Sequence, residues 1–216
     1  MHRRLSALRS TVAATLLAQT VVAAAADDPP AGDGAWMVEL KAGRIRPSLE
    51  EYGQFYGDEE TGHLAVAFGY RFLPWFELDA ETQYLNDNGV GQLPSTGGPG
   101  APVEYTLVPV HVFAKFRLER DTNALFVPYL GIGVARASYR QDIELQGERE
   151  GTTDIGPSVR AGVEILMNRL DPTGNTDPLK RTYLFIEAQQ FEAKVDGIDL
   201  GGDALLIGFR FELGGP

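Results

Sequence analysis

The stretch that decides the fold is residues 63–85, which read HLAVAFGYRFLPWFELDAETQYL. Apolar residues occupy every second position over 64–72, and they do so again over 76–84 except at Thr82. An alternation with period two places these side chains on one face of a β-strand. The Leu-Pro-Trp sequence at 73–75 predicts a tight turn between the two runs. The stretch therefore predicts a β-hairpin whose two strands share an apolar face.

The same alternation recurs in three further runs and, less regularly, in three more segments. The clear runs cover 108–118, 159–165 and 205–213, and the weaker segments cover 36–46, 125–139 and 181–194. Together with the hairpin, these segments predict eight strands of about ten residues or longer, the length that crosses a bilayer at a tilt.

The N-terminal segment differs in composition from the rest of the chain. Residues 1–9 carry three arginines and no acid, residues 11–22 are apolar, and a run of alanines ends at Ala26. A basic start, a short apolar run and small residues at the cleavage point are the parts of a secretory signal peptide. We expect residues 1–26 to be a signal peptide and residues 27–216 to form a single folded domain.

Beyond the signal peptide, the sequence has no run of about 18 uncharged apolar residues, so it predicts no membrane-spanning helix. An exported membrane protein without such helices has one remaining architecture, a closed barrel. The predicted fold class is all-β, an eight-stranded antiparallel up-and-down transmembrane β-barrel in the cell outer membrane of a Gram-negative bacterium. A soluble periplasmic barrel of lipocalin type, with its apolar face inward, stays open as the alternative.

The lengths of the predicted connections alternate, as the loops of an outer-membrane barrel do. The long connections, assigned to the cell exterior, cover 47–62, 86–102, 140–153 and 195–202. The connections assigned to the periplasm cover 73–75, 119–124 and a longer stretch at 168–180, which breaks the pattern. Aromatic residues at the strand ends nearest these turns predict an interfacial girdle. Its members are Trp36, Trp75, Phe76 and Phe116.

The composition excludes several classes of function. The sequence has no Cys and three His residues, which leaves no disulfide or thiol chemistry and argues against a His-rich metal site. The net charge of −11 becomes about −14 without the arginines of the signal peptide, and so acidic a surface repels nucleic-acid phosphates. We therefore predict a monomer with no cofactor, no metal and no nucleic-acid partner.

The last strand carries a specific pattern. The stretch 204–213 resembles the C-terminal signal read by the outer-membrane assembly machinery, and Gly208, Phe211 and Leu213 occupy the positions of that signal. The tail at 214–216 departs from the pattern, because such chains usually end on the aromatic residue. The resemblance implies the assembly machinery as a partner.

Three further stretches resemble the outer membrane protein β-barrel domain family, of the small OmpA/OmpX/OmpW-like type. They are GYRF at 69–72, PYLGIG at 128–133 and VDGIDL at 195–200. The resemblance implies an eight-stranded barrel, and we expect outer-membrane lipid and lipopolysaccharide to surround it. It implies no particular activity, since one fold carries many functions.

If the apolar face meets lipid, the opposite face of the strands fills the barrel interior with charge. An eight-stranded barrel is just wide enough to be filled by side chains, and buried charges must pair. The sequence therefore predicts a salt-bridged polar plug, the lumen charge network. The alternative is a narrow gated channel for small solutes or hydrophobic molecules. The network comprises Glu39, Lys41, Arg71, Glu77, Asp79, Glu81, Lys115, Arg117, Arg160, Glu164, Glu187 and Arg210.

Candidate catalytic residues are few. The ladder of Glu77, Asp79 and Glu81 suits acid–base work or a cation site, but neighbouring arginines favour a structural counter-charge. A lipid A-modifying barrel needs a His–x–Ser pair on a late strand. Gln190 and Glu192 stand at that place, and neither serves as the base or the nucleophile. We therefore predict that the chain is not an enzyme.

Two histidines and one loop complete the candidate residues. His111 is expected to form hydrogen bonds in the lumen, and His63 is expected at the edge of a loop. The loop over 47–62 is rich in acidic and aromatic residues. Such a loop can bind divalent cations that bridge lipopolysaccharide, bind a host surface, or remain a solvated acidic segment. We predict a structural or surface-interaction role.

Overall fold

The structure, a computed structural model, describes residues 34–49, 52–56, 58–91, 101–119, 124–143, 147–167 and 181–213. The strands are β1 (Ala35–Pro47), β2 (Thr61–Leu73), β3 (Phe76–Gly91), β4 (Ala101–Arg117), β5 (Phe126–Ile143), β6 (Gly147–Thr152), β7 (Gly156–Leu166), β8 (Arg181–Phe191), β9 (Lys194–Val195), β10 (Ile198–Asp199) and β11 (Gly202–Leu213). One short helix, α1 (Tyr52–Tyr56), lies between β1 and β2. No helix in the described ranges is long and apolar enough to span a membrane. The predicted signal peptide and the turn at 168–180 lie outside the described residues.

Eight of the strands close into a barrel. Strands β1 to β5 pair in sequence, β5 pairs with β7, β7 with β8, and β8 with β11. The barrel closes where β11 pairs with β1, from Trp36 opposite Leu213 to Pro47 opposite Gly202. All of these pairings are antiparallel. The predicted all-β, eight-stranded antiparallel barrel is therefore confirmed.

Side chains along each barrel strand alternate between a buried and an exposed face. On β11, Leu205 and Ile207 are 62% and 51% exposed, whereas Leu206 between them is 1% exposed. The midsections of the barrel strands expose apolar residues, and the charged residues of the same segments are buried inside. A soluble barrel of lipocalin type has the opposite arrangement, so the apolar outer wall favours a membrane barrel.

Aromatic rings gather at the end of the barrel where a tight turn joins β2 to β3. Trp75 stacks on Phe116 with ring centroids 6.3 Å apart, and Phe76 lies 5.5 Å from Phe116. Farther around the wall, Trp36 stacks on Phe68 at 5.0 Å. The four residues of the predicted girdle thus lie at one edge of the apolar wall, where aromatic side chains of membrane proteins concentrate.

The hairpins at the opposite end are longer than the sequence predicts. Strands β3 and β4 extend into the predicted loop at 86–102, and β5 and β6 pair across most of the predicted loop at 140–153. Backbone pairing continues there, but the outward side chains become polar, as with Asn86 and Thr106, whose side chains are 3.0 Å apart. The apolar alternation that marks a strand in the sequence therefore ends before the strand does.

The close packing around Gly208 leads to the first prediction. A Cβ atom added at Gly208 would lie 2.4 Å from the backbone oxygen of Leu40 and 2.6 Å from the ring of Phe185. Gly208→Ala should therefore lower the free energy of unfolding by about 1–3 kcal/mol, because the wall or the ring must shift. Urea unfolding in detergent micelles measures this. Gly62→Ala is the control, since a Cβ there meets nothing within 4 Å; equal loss of stability in both variants would contradict the prediction.

Candidate functional site

The twelve residues of the lumen charge network point into the barrel and are buried. The most exposed of them, Arg71, is 7% exposed, and Arg210 and Lys115 are fully buried. Six are carboxylates and six are cations, so the network is neutral when all of its members are ionised. They come from seven of the eight barrel strands, because each strand turns alternate side chains inward. Strand β5 contributes none.

One cluster of ion pairs gathers around Glu164 and Glu77 near the aromatic girdle. Lys115 donates to one oxygen of Glu164 at 2.7 Å, and Arg117 donates to the other at 2.7 Å. Arg210 binds Glu77 through two parallel hydrogen bonds of 2.7 and 2.6 Å. A planar guanidinium forms such bidentate contacts with a carboxylate. These contacts join β3, β4, β7 and β11 across the lumen.

A second cluster surrounds Lys41. Its ammonium group lies 2.6 Å from Glu81, 2.8 Å from Glu187 and 3.0 Å from Glu39. Glu39 also accepts a hydrogen bond of 2.9 Å from Lys115 of the first cluster. The two clusters therefore form one continuous network.

Arg160 extends the network towards the middle of the barrel. Its guanidinium donates to Asp79 and lies 3.4 Å from Glu81 and 3.6 Å from Glu187. The same guanidinium stands 4.1 Å above the ring centroid of Phe113. A cation over an aromatic face gains further electrostatic stabilisation in a site shielded from water.

Three charged residues of the network were missed at the level of sequence. Glu212 accepts a hydrogen bond of 2.8 Å from Arg71, and Glu119 lies 3.1 Å from Arg117 and also pairs with Arg181. Glu212 has the inward parity of β11, which was a usable signal. Glu119 and Arg181 stand at strand ends, where the alternation no longer distinguishes the two faces.

A layer of neutral polar side chains lies above the charges. His111 Nδ1 is 3.1 Å from Ser158 Oγ and 3.4 Å from Gln189 Nε2. Gln83 donates to Gln189 and to Glu81, each at 2.7 Å. His111 thus lies in the lumen and has hydrogen-bonding partners there.

The placement of His63 corrects an expectation. The sequence predicts a loop edge, but His63 lies within β2 and is 3% exposed. Strand β2 begins at Thr61, two residues before His63, so the alternation of the strand already includes His63. It therefore faces inward, as Ala65 does two positions later. Neither ring nitrogen has a hydrogen-bond partner among the described residues.

The lumen offers no accessible catalytic arrangement in its described part. His111 and Ser158 form a base–hydroxyl pair, but they are 0% and 1% exposed, beyond the reach of a lipid substrate. Gln190 is exposed on the outer wall, and Glu192 pairs with Lys194 at 2.5 Å. The described side chains also include no group of three or more His, Asp or Glu residues that could hold a metal ion.

The end of the lumen away from the girdle holds a buried apolar cluster, so the predicted salt-bridged polar lumen does not fill the whole barrel. A buried cluster contains Ile45, Leu85, Leu107, Phe191 and Leu206, each at most 2% exposed. The alternation in the sequence does not predict this cluster, because these apolar residues occupy the inward positions that carry charged residues nearer the girdle on the same strands.

Helix α1 lies beside this apolar end. The phenol of Tyr52 donates to Asp87 at 2.6 Å, and its ring lies 4.5 Å from that of Tyr56. The ring of Tyr56 lies 5.9 Å from that of Tyr105, which packs on the apolar cluster. Burial, and then the hydrogen bond to Asp87, raise the pKa of Tyr52, so its phenol stays protonated as the donor.

The three residues of the predicted assembly signal lie on β11. Gly208 faces the lumen, whereas Phe211 and Leu213 are half-buried on the outer face. Phe211 is opposite Val38 and Leu213 is opposite Trp36 across the strand pair that closes the barrel. The signal residues therefore lie at the barrel seam, at its girdle end.

The ion pairs at Glu164 lead to a prediction about stability. Glu164→Gln keeps the shape of the side chain but leaves Lys115 and Arg117 short of a buried counter-charge, which should lower the free energy of unfolding by about 3–5 kcal/mol. Urea unfolding in micelles measures the loss. The control is Glu148→Gln, which removes an exposed pair with Arg140 at 2.6 Å and should leave the unfolding curve unchanged. An equally small effect at Glu164 would show that the network contributes little.

Comparison with known proteins gives two results. No protein-family model matches the sequence, and no curated protein sequence matches it. Among solved structures, the chain is similar to Neisserial surface protein A, with a TM-score of 0.55 and 16% identity over 82% of this chain and 96% of that one. It is also similar to the outer membrane protein OprG from Pseudomonas aeruginosa, with a TM-score of 0.62 and 12% identity over 85% and 97%. At these identities the likeness is one of fold, and the chain has the fold of the small eight-stranded outer-membrane β-barrels.

Proposed function

We propose that the protein is an integral outer-membrane β-barrel with a closed lumen and a structural or surface-interaction role. The observation that carries the proposal is the filled interior, with a buried ion-pair network at one end and a buried apolar cluster at the other. A lumen filled in this way leaves no path for a solute. The outer wall and the exterior hairpins are then the surfaces that contact partners.

The outer wall supports a place in the membrane. On β5, the outward residues Leu130, Ile132 and Val134 are 53%, 51% and 48% exposed. A soluble monomer rarely leaves so continuous an apolar surface uncovered. On the same strand, the outward Arg136 begins the polar surface at the end away from the girdle. An apolar belt between an aromatic edge and a polar edge is typical of a barrel in the outer membrane.

The proposed partners follow from this location. Lipid and lipopolysaccharide surround the apolar belt, and the assembly machinery recognises β11 through Gly208, Phe211 and Leu213. Residues 1–26 direct export as a cleaved signal peptide, and the barrel works as a monomer without enzymatic activity. The buried position of His111 and Ser158 supports the last point, since no substrate reaches them.

Expression of the full chain in a Gram-negative host tests the location. We expect the protein in the outer-membrane fraction, with a mass reduced by loss of the first 26 residues. An unboiled sample should migrate differently from a boiled one on a gel, because a closed barrel resists detergent until it is heated. A protein found in the soluble periplasmic fraction, with no such shift, would instead support the lipocalin-type alternative.

The channel alternative makes a different demand on the lumen. A conducting path needs water beside the ion pairs, yet Glu39, Glu77 and Glu164 are 0% exposed and contact cations from several strands. Opening a path would require several of these contacts to separate together, which is costly in a site without water. The geometry therefore supports a barrel without a conducting path better than it supports a channel.

Planar-bilayer recordings test whether the lumen is closed. The unmodified protein should give no discrete conductance steps. Lys115→Ala and Glu164→Ala remove one cation and one carboxylate without changing the net charge, and Leu107→Ala and Phe191→Ala open the apolar cluster at the other end, so steps should appear when all four changes are combined. Arg140→Ala combined with Glu148→Ala is the control, since it removes an exposed pair outside the lumen and should stay silent. Steps of similar size from the unmodified protein would favour the channel.

A further inference from the structure

A hydrogen-bonded layer in the lumen lies between the lumen charge network and the apolar cluster. The layer, called the polar layer below, comprises Gln83, His111, Ser158 and Gln189, each at most 3% exposed. Its hydrogen bonds begin at Glu81, whose oxygen Oε1 accepts from Gln83 at 2.7 Å and from Gln189 at 3.3 Å. Gln83 also donates to Oε1 of Gln189 at 2.7 Å. The chain of contacts ends at His111, where Nδ1 lies 3.4 Å from Nε2 of Gln189.

The carboxylate of Glu81 determines how both amides are turned. An ionised carboxylate only accepts hydrogen bonds, so Gln83 and Gln189 both direct their NH2 groups towards it. The second hydrogen of the Gln83 amide then goes to the oxygen of Gln189, and the second hydrogen of the Gln189 amide is directed at His111. Nδ1 of His111 therefore accepts. Because Nε2 has no partner among the described residues, the contact at Nδ1 decides which nitrogen of the neutral ring carries the proton.

His111 also joins the polar layer to the apolar cluster. Its ring centroid lies 4.9 Å from that of Phe191, a member of the cluster, in an edge arrangement. The His111 ring also stacks on Phe113, with centroids 5.5 Å apart. The guanidinium of Arg160 stands 4.1 Å from the centroid of the same Phe113 ring. A positive charge on His111 would therefore be near a cation that already contacts that ring.

The charges around His111 offer little compensation for a proton. The titratable groups of other strands that act on it are Glu81, Arg160, Lys41 and His63. Strand β5 places the uncharged Ala135 opposite His111, and the contact from β8 is the amide described above. Glu81 is opposite His111 on β3, but its carboxylate already lies 2.6 Å from Lys41 and 3.4 Å from Arg160. Within the described chain, His111 therefore has no carboxylate of its own.

We infer that His111 is an acid-sensitive link between the lumen charge network and the apolar cluster, neutral with its proton on Nε2 until acid protonates Nδ1 and breaks the polar layer. In that step a proton from solvent adds to the lone pair of Nδ1, and the ring becomes an imidazolium. The new N–H opposes the N–H of Gln189. Turning the Gln189 amide over only moves the conflict, because its NH2 group then meets the NH2 group of Gln83. Ser158 Oγ, 3.1 Å from Nδ1, can accept the new hydrogen, but Gln189 still loses its acceptor.

The response to acid is confined to the half of the barrel away from the girdle. Glu81 keeps its contacts with Lys41 and Arg160 when the polar layer breaks, so the lumen charge network still blocks the lumen. The apolar cluster loses the support of the layer beneath it and becomes more mobile. The inference thus adds a response to acid that the proposed function does not include. It also stands apart from the proposed membrane location, because every contact that it uses lies inside the lumen.

The second buried histidine provides a matched control. His63 and His111 are the two histidines of the described ranges, and histidine is the side chain whose ordinary charge change falls between pH 5 and 8. Neither ring nitrogen of His63 has a hydrogen-bond partner among the described residues. Protonation of His63 therefore breaks no hydrogen bond of the polar layer.

Hydrogen exchange tests the inference on the full chain, expressed in a Gram-negative host and purified in detergent micelles. Exchange is measured by mass spectrometry at about pH 7.5 and about pH 5, on either side of the ordinary pKa of histidine, and corrected for the intrinsic rate. Residues 103–111 of β4 should exchange about ten-fold faster or more at the lower pH, because a free imidazole is mostly protonated there. Residues 113–117, at the girdle end of the same strand, should stay equally protected at both pH values.

Two variants assign the response to one histidine. His111→Asn places an amide oxygen near the position of Nδ1, so the hydrogen bond from Gln189 persists, and the side chain cannot take up a proton. This variant should show no faster exchange at the lower pH. His63→Asn makes the same change at the control position and should keep the full response. The carboxylates are the same in both variants, so a response that persists in His111→Asn would overturn the inference.

The tautomer of His111 gives a second measurement that leaves His111 itself unchanged. Nitrogen-15 NMR of the His63→Asn protein reports which ring nitrogen of His111 carries the proton. We expect the proton on Nε2 at the higher pH and a charged ring at the lower one. A proton on Nδ1, or a charged ring already at the higher pH, would contradict the inference. If His111→Asn does not fold, this tautomer and the exchange of the His63→Asn protein decide the question.

Discussion

The pairing of buried charge is the constraint on which the rest of this barrel depends. A charge inside a narrow barrel has lost most of its water, and only an opposite charge at hydrogen-bonding distance offsets that loss. Glu39 shows the consequence, since it lies within 3.1 Å of Lys41 on its own strand, Lys115 on β4 and Arg210 on β11. The ion pairs therefore do more than neutralise charge. They tie together strands that have no backbone contact with one another.

The same constraint explains where the barrel wall carries small residues. Long cations that reach across the lumen need room at the far wall, and β5 supplies it by placing no charge inside. A Cβ atom added at Gly131 of β5 would lie 2.8 Å from Cγ of Arg160, so the glycine accommodates the arginine stem. On β2, the inward positions Ala65 and Ala67 are likewise short, and both are almost fully buried. Small residues on two strands thus make space for the charges of the others.

The period-two alternation of apolar residues sets the limit on how much of the fold and of the lumen could be predicted from the sequence. Period two distinguishes the faces of a strand, and the twelve charged residues that it assigns to the lumen are all buried. It fails where the outer face becomes polar, which is why the hairpins of β3–β4 and β5–β6 extend into predicted loops. It also fails at strand ends, which left out Glu119 and Arg181 and put His63 at a loop edge. Which carboxylate pairs with which cation depends on distances across the lumen, and the order of residues along the chain does not contain them.

The apolar cluster at one end of the lumen and the ion pairs at the other stabilise each other. The apolar cluster around Leu85, Leu107 and Phe191 keeps water away from the ion pairs beneath it, and a lower local dielectric strengthens each of those pairs. The ion pairs in turn fix the strands that carry the apolar side chains. Movement of Tyr52 away from the barrel would uncover an apolar surface, but the charged plug would still block the path. A barrel closed by two unlike layers has no single gate to open, and recognition is therefore expected on its outer wall and hairpins.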